Sequence, residues 1–194
     1  MDEQWRLFAA IALPETVRER IEQEIEFLRR LGWRAKWVNP TGSHLTVKFY
    51  GEVPPSAVPR LREVLRTGLE ATPAFAVETV GAGVFPHPAR PRVLWLGVGG
   101  SLDELASLQR RIEQLSRELG FPTEQRPFHP HLTLARFQPG NVPSVGSLSR
   151  QLERLAALPP LRIPVQTVTL FRSELRRAGA VYTVVDTFEL ETTR

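Results

Sequence analysis

The chain has 194 residues, 42% of them hydrophobic and 24% charged, which is typical of an ordinary globular protein with a sizeable core. It contains no cysteine, and this excludes disulfides, thiolate nucleophiles and sulfur-ligated metals. No apolar run approaches the roughly 20 residues that span a bilayer, and the N-terminal stretch lacks the segments of a signal peptide, so a cytoplasmic protein is expected.

The formal net charge is +4, and 23 of the 25 basic residues are arginine. Codon bias or thermal adaptation explains this preference as well as an anionic partner does. Guanidinium groups do bind phosphate through paired hydrogen bonds. A charge of +4 is too small to establish nucleic-acid binding by itself.

The first predicted elements are a strand, a helix and two more strands. "RLFAAIALP" (6–14) is typical of a strand, and residues 15–32 carry apolar side chains at helical spacing with Gly32 ending the helix. "AKWV" (35–38) is a short strand, and a turn leads into "HLTVKFYG" (44–51).

The same order begins again at residue 92. "RVLWLGVGG" (92–100) predicts a strand, and residues 101–120 predict a helix with Ser101 as N-cap and Glu104 closing a capping box. A turn containing proline then leads into "HLTLARF" (131–137).

These two units indicate an internal duplication. Arg6 precedes His44 by 38 residues, and Arg92 precedes His131 by 39. Each unit is followed by a helix and two paired strands. These segments are helices at about 56–70 and 147–157, and strand pairs at 75–85 with 92–98 and 161–175 with 180–191. Loops at 86–91 and 176–179 are predicted to close the two hairpins.

The predicted fold class is α+β: two pseudo-symmetric lobes of mostly antiparallel sheet, outer helices and an active-site cleft between the lobes, within one domain (1–194).

A His-x-Thr sequence recurs at the matched position of each unit. Residues i and i+2 of a strand share a face, so His44 lies beside Thr46 and His131 beside Thr133, with the intervening leucines in the core. One such pair usually marks a solvated face, but two at matched positions indicate a site. Imidazoles and hydroxyls without a nearby carboxylate suit a phosphate: the hydroxyls donate to its oxygens while the imidazoles accept and donate protons.

With "HLTV" at 44–47 and "HLTL" at 131–134, the chain resembles the two-histidine (2H) phosphoesterase superfamily, and within it the RNA 2′,3′-cyclic phosphodiesterases, also called 2′-5′ RNA ligases. Family-like stretches run along essentially the whole chain: "RLFAAIALP", "WVNPTGSHLTVKFYGEV", "GVFPHPARPRVLWLGV" and "RPFHPHLTLARF". The resemblance implies hydrolysis of a terminal 2′,3′-cyclic phosphate to a 2′-phosphomonoester without metal or cofactor.

The resemblance also implies the role of each motif residue. His44 would protonate the departing O3′, His131 would accept a proton from water, and Thr46 and Thr133 would hold the phosphate. Sequence symmetry alone does not distinguish the two histidines. Reversible 2′-5′ ligation at the same site and a non-catalytic RNA- or nucleotide-binding module remain alternatives. A reference histidine pKa of about 6.5 predicts a bell-shaped rate profile with its maximum near neutral pH.

RNA ends bearing a 2′,3′-cyclic phosphate are the expected partner, with tRNA fragments or nucleoside cyclic phosphates as candidate substrates. No membrane partner and no metal are expected, and a monomer is predicted.

Four further residues are candidate substrate contacts. Strand alternation places Lys48 on the face of His44. Arg136 stands at an odd spacing from His131, which predicts the opposite face unless a bulge intervenes, whereas the resemblance favours a substrate contact. Phe8 either stacks on a base or packs in the core. His129 resembles a metal ligand in its His-x-His spacing only, because no cysteine or acid completes a set; a positioning role beside His131 is predicted.

Overall fold

The computed structural model describes residues 3–176 and 179–192. Its strands are β1 Trp5–Ala12, β2 Lys36–Trp37, β3 His44–Val53, β4 Phe75–Phe85, β5 Val93–Gly100, β6 His131–Arg136, β7 Arg162–Val165, β8 Thr167–Arg176 and β9 Gly179–Glu189. Its α-helices are α1 Glu15–Arg30, α2 Val58–Leu69, α3 Leu102–Glu118 and α4 Val145–Ala156, and short 3-10 helices lie at Pro40–Gly42 and Pro55–Ala57. The tip of the hairpin predicted at 176–179, residues 177–178, lies outside the described residues.

The strands form two antiparallel sheets, which confirms the predicted α+β class. The first sheet has the order β3-β1-β8-β9, and the second has the order β2-β6-β5-β4-β7. In each sheet the His-x-Thr strand pairs with the first strand of its own unit. Some later strands join the sheet of the other unit. β4 follows β3 in the chain but belongs to the second sheet, whereas β8 and β9 follow β6 but belong to the first.

The helices cover the faces of the sheets that lie opposite the His-x-Thr residues. Val17, Ile21, Ile25 and Leu28 of α1 are at most 2% exposed, as the helical spacing predicts. Full burial of each such side chain contributes about 1.5–3 kcal/mol. Helix α1 contacts β6 of the second sheet, and α3 contacts both β3 of the first sheet and β4 of the second.

Two local predictions hold only in part. Ser101 is the N-cap residue of α3, as predicted, but its side chain makes no cap hydrogen bond, because its ψ of 63° departs from the extended conformation that side-chain capping needs. The strand predicted at 161–175 is two strands, β7 and β8, which pair in different sheets on either side of Gln166. Among the described helices, none has the length and apolar character needed to cross a membrane.

Candidate active site

Each His-x-Thr sequence opens a strand. β3 begins at His44 and β6 at His131, and both motif histidines are half-buried. Thr46 and Thr133 are half-buried too, whereas the alternate residues of both strands are buried in the core. The imidazole and the hydroxyl of each motif therefore share the face of the sheet that the core does not occupy.

The two motif strands are neighbours although they belong to different sheets. Cα atoms of β3 and β6 approach within 8 Å. The backbone N–H of Val38, between β2 and β3, donates to the carbonyl of Leu134 in β6 (3.1 Å). The chain thus brings its duplicated motifs to the junction of the two sheets.

Matching β-bulges follow the two threonines. In the first sheet Ala10 pairs with Thr46 and Ala9 with Lys48, which leaves Val47 without a cross-strand partner. In the second sheet Trp95 pairs with Thr133 and Leu94 with Ala135, which leaves Leu134 without a cross-strand partner. A bulge adds one residue to its strand, so the residues beyond it change faces.

The bulge at Val47 turns Lys48 into the core, so the prediction that Lys48 shares the face of His44 is wrong. Its side chain is 1% exposed, and Nζ lies 2.7 Å from Oε2 of Glu113 and 3.0 Å from the carbonyl oxygen of Pro122. Lys48 therefore ties β3 to α3 and is not available to a substrate.

The bulge at Leu134 has the opposite consequence for Arg136. The side chain is exposed on the face of His131, in place of the opposite face that odd spacing predicts. The pKa of His131 is lowered mainly by burial, and the positive charge of Arg136 adds to that lowering. Phe49 occupies the matched position in β3 and is 60% exposed.

Each motif imidazole is held by a hydrogen bond of the same kind. Nδ1 of His44 donates to the carbonyl of Gly42 (2.8 Å), and Nδ1 of His131 donates to the carbonyl of His129 (2.7 Å). A carbonyl oxygen only accepts, so Nδ1 carries the hydrogen in both rings. Nε2 of each ring is then the atom left to accept or donate a proton.

Burial lowers the pKa of both imidazoles from the ordinary value of 6.5, because a charged ring loses hydration. The bonds from Nδ1 to the carbonyls act in the opposite direction. For His131, the proximity of His129 and of the Arg136 guanidinium lowers the pKa further. Near neutral pH the unliganded site therefore holds mainly neutral imidazoles.

Aromatic rings surround His44. The ring of Phe8 lies 4.5 Å from the imidazole centroid, Tyr182 meets it edge-on at 5.1 Å, and Phe171 lies at 5.9 Å. Phe8 is 2% exposed, so it has no free face for a base. The structure thus favours packing over base stacking for Phe8, because its ring is buried and contacts the imidazole of His44.

His131 and His129 share a second aromatic wall. Phe85 lies 5.0 Å from His131 and 5.1 Å from His129, and the indole of Trp95 lies 5.2 Å from His129. Gly83 permits this arrangement, since a Cβ there would come within 2.3 Å of the indole. His129 thus contacts the site through its ring packing and its carbonyl. No group of three or more His, Cys, Asp or Glu suited to a metal occurs in the described part of the chain.

Sequence reasoning missed several residues at this site. Tyr182 and Phe171 reach His44 from strands far along the chain, and no local pattern identifies them. Phe49 had a signal, since it occupies the position in "HLTVKF" that Arg136 occupies in "HLTLAR".

A family model described as "2'-5' RNA ligase superfamily" matches residues 17–177. A Methanothermobacter thermautotrophicus protein named RNA 2',3'-cyclic phosphodiesterase is 34% identical over 186 residues, covering 95% of this chain and 98% of that protein. Among solved structures, a Thermus thermophilus protein has a TM-score of 0.78 at 30% identity, covering 97% of this chain and 100% of that one. E. coli LigT, crystallised with 3'-AMP, has a TM-score of 0.73 at 28% identity, covering 97% and 99%. The chain belongs to the 2′-5′ RNA ligase superfamily of two-histidine phosphoesterases.

Proposed function

We propose that the protein is an RNA 2′,3′-cyclic phosphodiesterase that hydrolyses a terminal cyclic phosphate to a 2′-phosphomonoester. The names of the similar curated proteins support this substrate class. The observation that carries the proposal is the duplicated imidazole, with Nδ1 held by a carbonyl and Nε2 left for chemistry in both motifs.

In the proposed reaction His131 is the base and His44 the acid, as the family resemblance implies. Nε2 of His131 takes a proton from water, and the oxygen of that water attacks phosphorus. The bond between phosphorus and O3′ breaks while Nε2 of His44 gives its proton to O3′. The hydroxyls of Thr46 and Thr133 donate to the non-bridging oxygens, and proton exchange with solvent restores both imidazoles.

The environment of each ring suits its proposed role. The lowered pKa keeps His131 neutral, as a base must be. His44 must carry a proton, and a bound phosphate anion favours the imidazolium form. Each Nδ1–H bond to a carbonyl also stabilises the charged ring when it forms.

Hydrolysis is proposed rather than ligation because the curated relatives carry the phosphodiesterase name. A binding module does not need two imidazoles that are both held through Nδ1, so the matched pair favours an enzyme over that alternative. An RNA substrate fits the cytoplasmic location expected from the sequence, and the monomeric state stays a prediction.

The direct test is an oligoribonucleotide ending in a 2′,3′-cyclic phosphate, incubated with the protein in EDTA. We expect full activity, since the imidazoles and hydroxyls supply the proton transfers and phosphate contacts that a metal otherwise provides. Chromatography against authentic 2′- and 3′-phosphate standards identifies the product. A 3′-phosphate product, or activity lost in EDTA and restored by a divalent ion, contradicts the proposed mechanism.

We further propose that Phe49 stacks on the terminal base. It is 60% exposed, and the ring of Phe8 backs it at 5.9 Å. Base stacking on an aromatic side chain contributes about 1–3 kcal/mol, so Phe49→Ala should raise KM about tenfold with a smaller effect on kcat. Val145→Ala, which removes an exposed apolar side chain from α4, is the control. An unchanged KM in Phe49→Ala argues against the stacking role.

A further inference from the structure

Two cations face each other across strands β2 and β6. Lys36 is the register partner of Arg136, and both side chains are exposed. Residues directly opposite in an antiparallel pair lie on the same face, so Lys36 shares the face that carries Arg136 and His131.

Neither cation makes an ion pair within residues 3–176 and 179–192. Like charges directly opposite each other destabilise a sheet, and an anion bound between them removes that repulsion. A lysine on an edge strand also prevents pairing with another sheet. That role accounts for Lys36 on the edge strand β2, but it does not account for a second cation opposite it on the inner strand β6.

The position of the pair relative to His131 indicates which anion it would meet. Arg136 is five residues from His131, roughly 15 Å along an extended strand, and Lys36 lies across from it. A 2′,3′-cyclic phosphate is the last phosphate of its chain. With that group at the histidines, every other phosphate of the same RNA lies to its 5′ side.

We propose that Lys36, together with Arg136, binds the phosphodiester on the 5′ side of the terminal nucleotide, so that the site prefers the end of an RNA chain to a free nucleoside cyclic phosphate. The inference rests on the proposed function, because the cyclic phosphate at the histidines sets the direction of the chain.

The test compares kcat/KM for a trinucleotide ending in a 2′,3′-cyclic phosphate with kcat/KM for the nucleoside 2′,3′-cyclic phosphate of the same base. In Lys36→Gln we expect the ratio of the two to fall about three- to tenfold at low ionic strength, the scale of one partly exposed charge-assisted phosphate contact. The loss should shrink as salt screens the contact. Lys36→Arg should restore the ratio.

Arg150→Gln is the matched control, since it removes the same charge from an exposed position on α4. Leu155 of α4 lines a small cavity with Leu96 of β5, which places that helix on the side of the sheet opposite Trp95 and His131. The ratio should not change in this variant.

An unchanged ratio in Lys36→Gln overturns the inference, and so does an equal loss on both substrates, which would mean that Lys36 acts on the reaction centre or on the fold. If the wild-type protein hydrolyses neither substrate, the proposed function fails instead. Binding of a trinucleotide ending in a 2′-phosphate, compared between wild type and Lys36→Gln by fluorescence anisotropy, then tests the phosphate contact alone.

Discussion

Replacing either His44 or His131 with alanine is expected to lower kcat by on the order of 10²-fold or more, the usual scale for a positioned proton-transfer group. Each ring is held by the same kind of Nδ1–H bond, which leaves Nε2 for chemistry, so removal of either imidazole deletes one of the two proton transfers of the proposed mechanism. The double variant should lose less than the product of the two single losses, because each group is of little use without its partner. Steady-state rates on a cyclic-phosphate substrate measure all three variants.

His87→Ala is the control for these variants. His87 is exposed in the loop between β4 and β5, and its Nδ1 accepts a hydrogen bond from the backbone N–H of Ala89 (3.1 Å). We expect its rate to stay near that of the wild type. If either His44→Ala or His131→Ala turns over at a near-wild-type rate while folded, the two-histidine mechanism is wrong for this protein.

The local part of this site is predictable from sequence because it depends on strand alternation. His44 and Thr46 share a face, as do His131 and Thr133, and no other part of the chain needs to be known to deduce this. Duplication adds the second prediction, that both motifs belong to one site. The same reasoning identified the helix faces of α1, since their apolar residues recur with the helical period.

At the site, the predicted face of Lys48 is wrong and the sequence leaves the face of Arg136 open, because pairing between strands determines both. Lys48 and Arg136 both follow a bulge, and a bulge is a property of two paired strands rather than of the residues in one. Without the register, alternation predicts the wrong face for both. Comparing the two motif strands would have identified Phe49 as a candidate, because Phe49 in one strand occupies the position of Arg136 in the other.

Long-range contacts set the environment of the histidines and could not be deduced from the motif. Phe171 and Tyr182 reach His44 because β8 and β9 cross into the first sheet, whereas Phe85 reaches His131 because β4 crosses into the second. These rings exclude water from the imidazoles. Burial therefore lowers both histidine pKa values, and this changes the pH dependence expected from reference values.

The maximum of kcat/KM against pH is expected below pH 6.5, not near neutral pH. The reacting form has one imidazole protonated and one neutral, and its population peaks midway between the two apparent pKa values of the pair. At higher pH both rings are neutral and the acid is lost; at lower pH both are charged and the base is lost. Burial lowers the pKa of both rings from 6.5 in the free enzyme, so the midpoint falls with them.

Two further shifts of the profile follow from charge. A bound cyclic phosphate remains an anion over this range and favours protonated imidazoles, so the maximum of kcat should lie at higher pH than that of kcat/KM.

The positive charge of Arg136 lowers the pKa of His131, so Arg136→Gln should move the kcat/KM maximum to higher pH, whatever its effect on the rate. Arg150→Gln, which removes a charge outside the site, should leave the profile in place. A wild-type kcat/KM maximum above pH 7, or a move to lower pH in Arg136→Gln, contradicts this account of how burial and charge set the protonation of the pair.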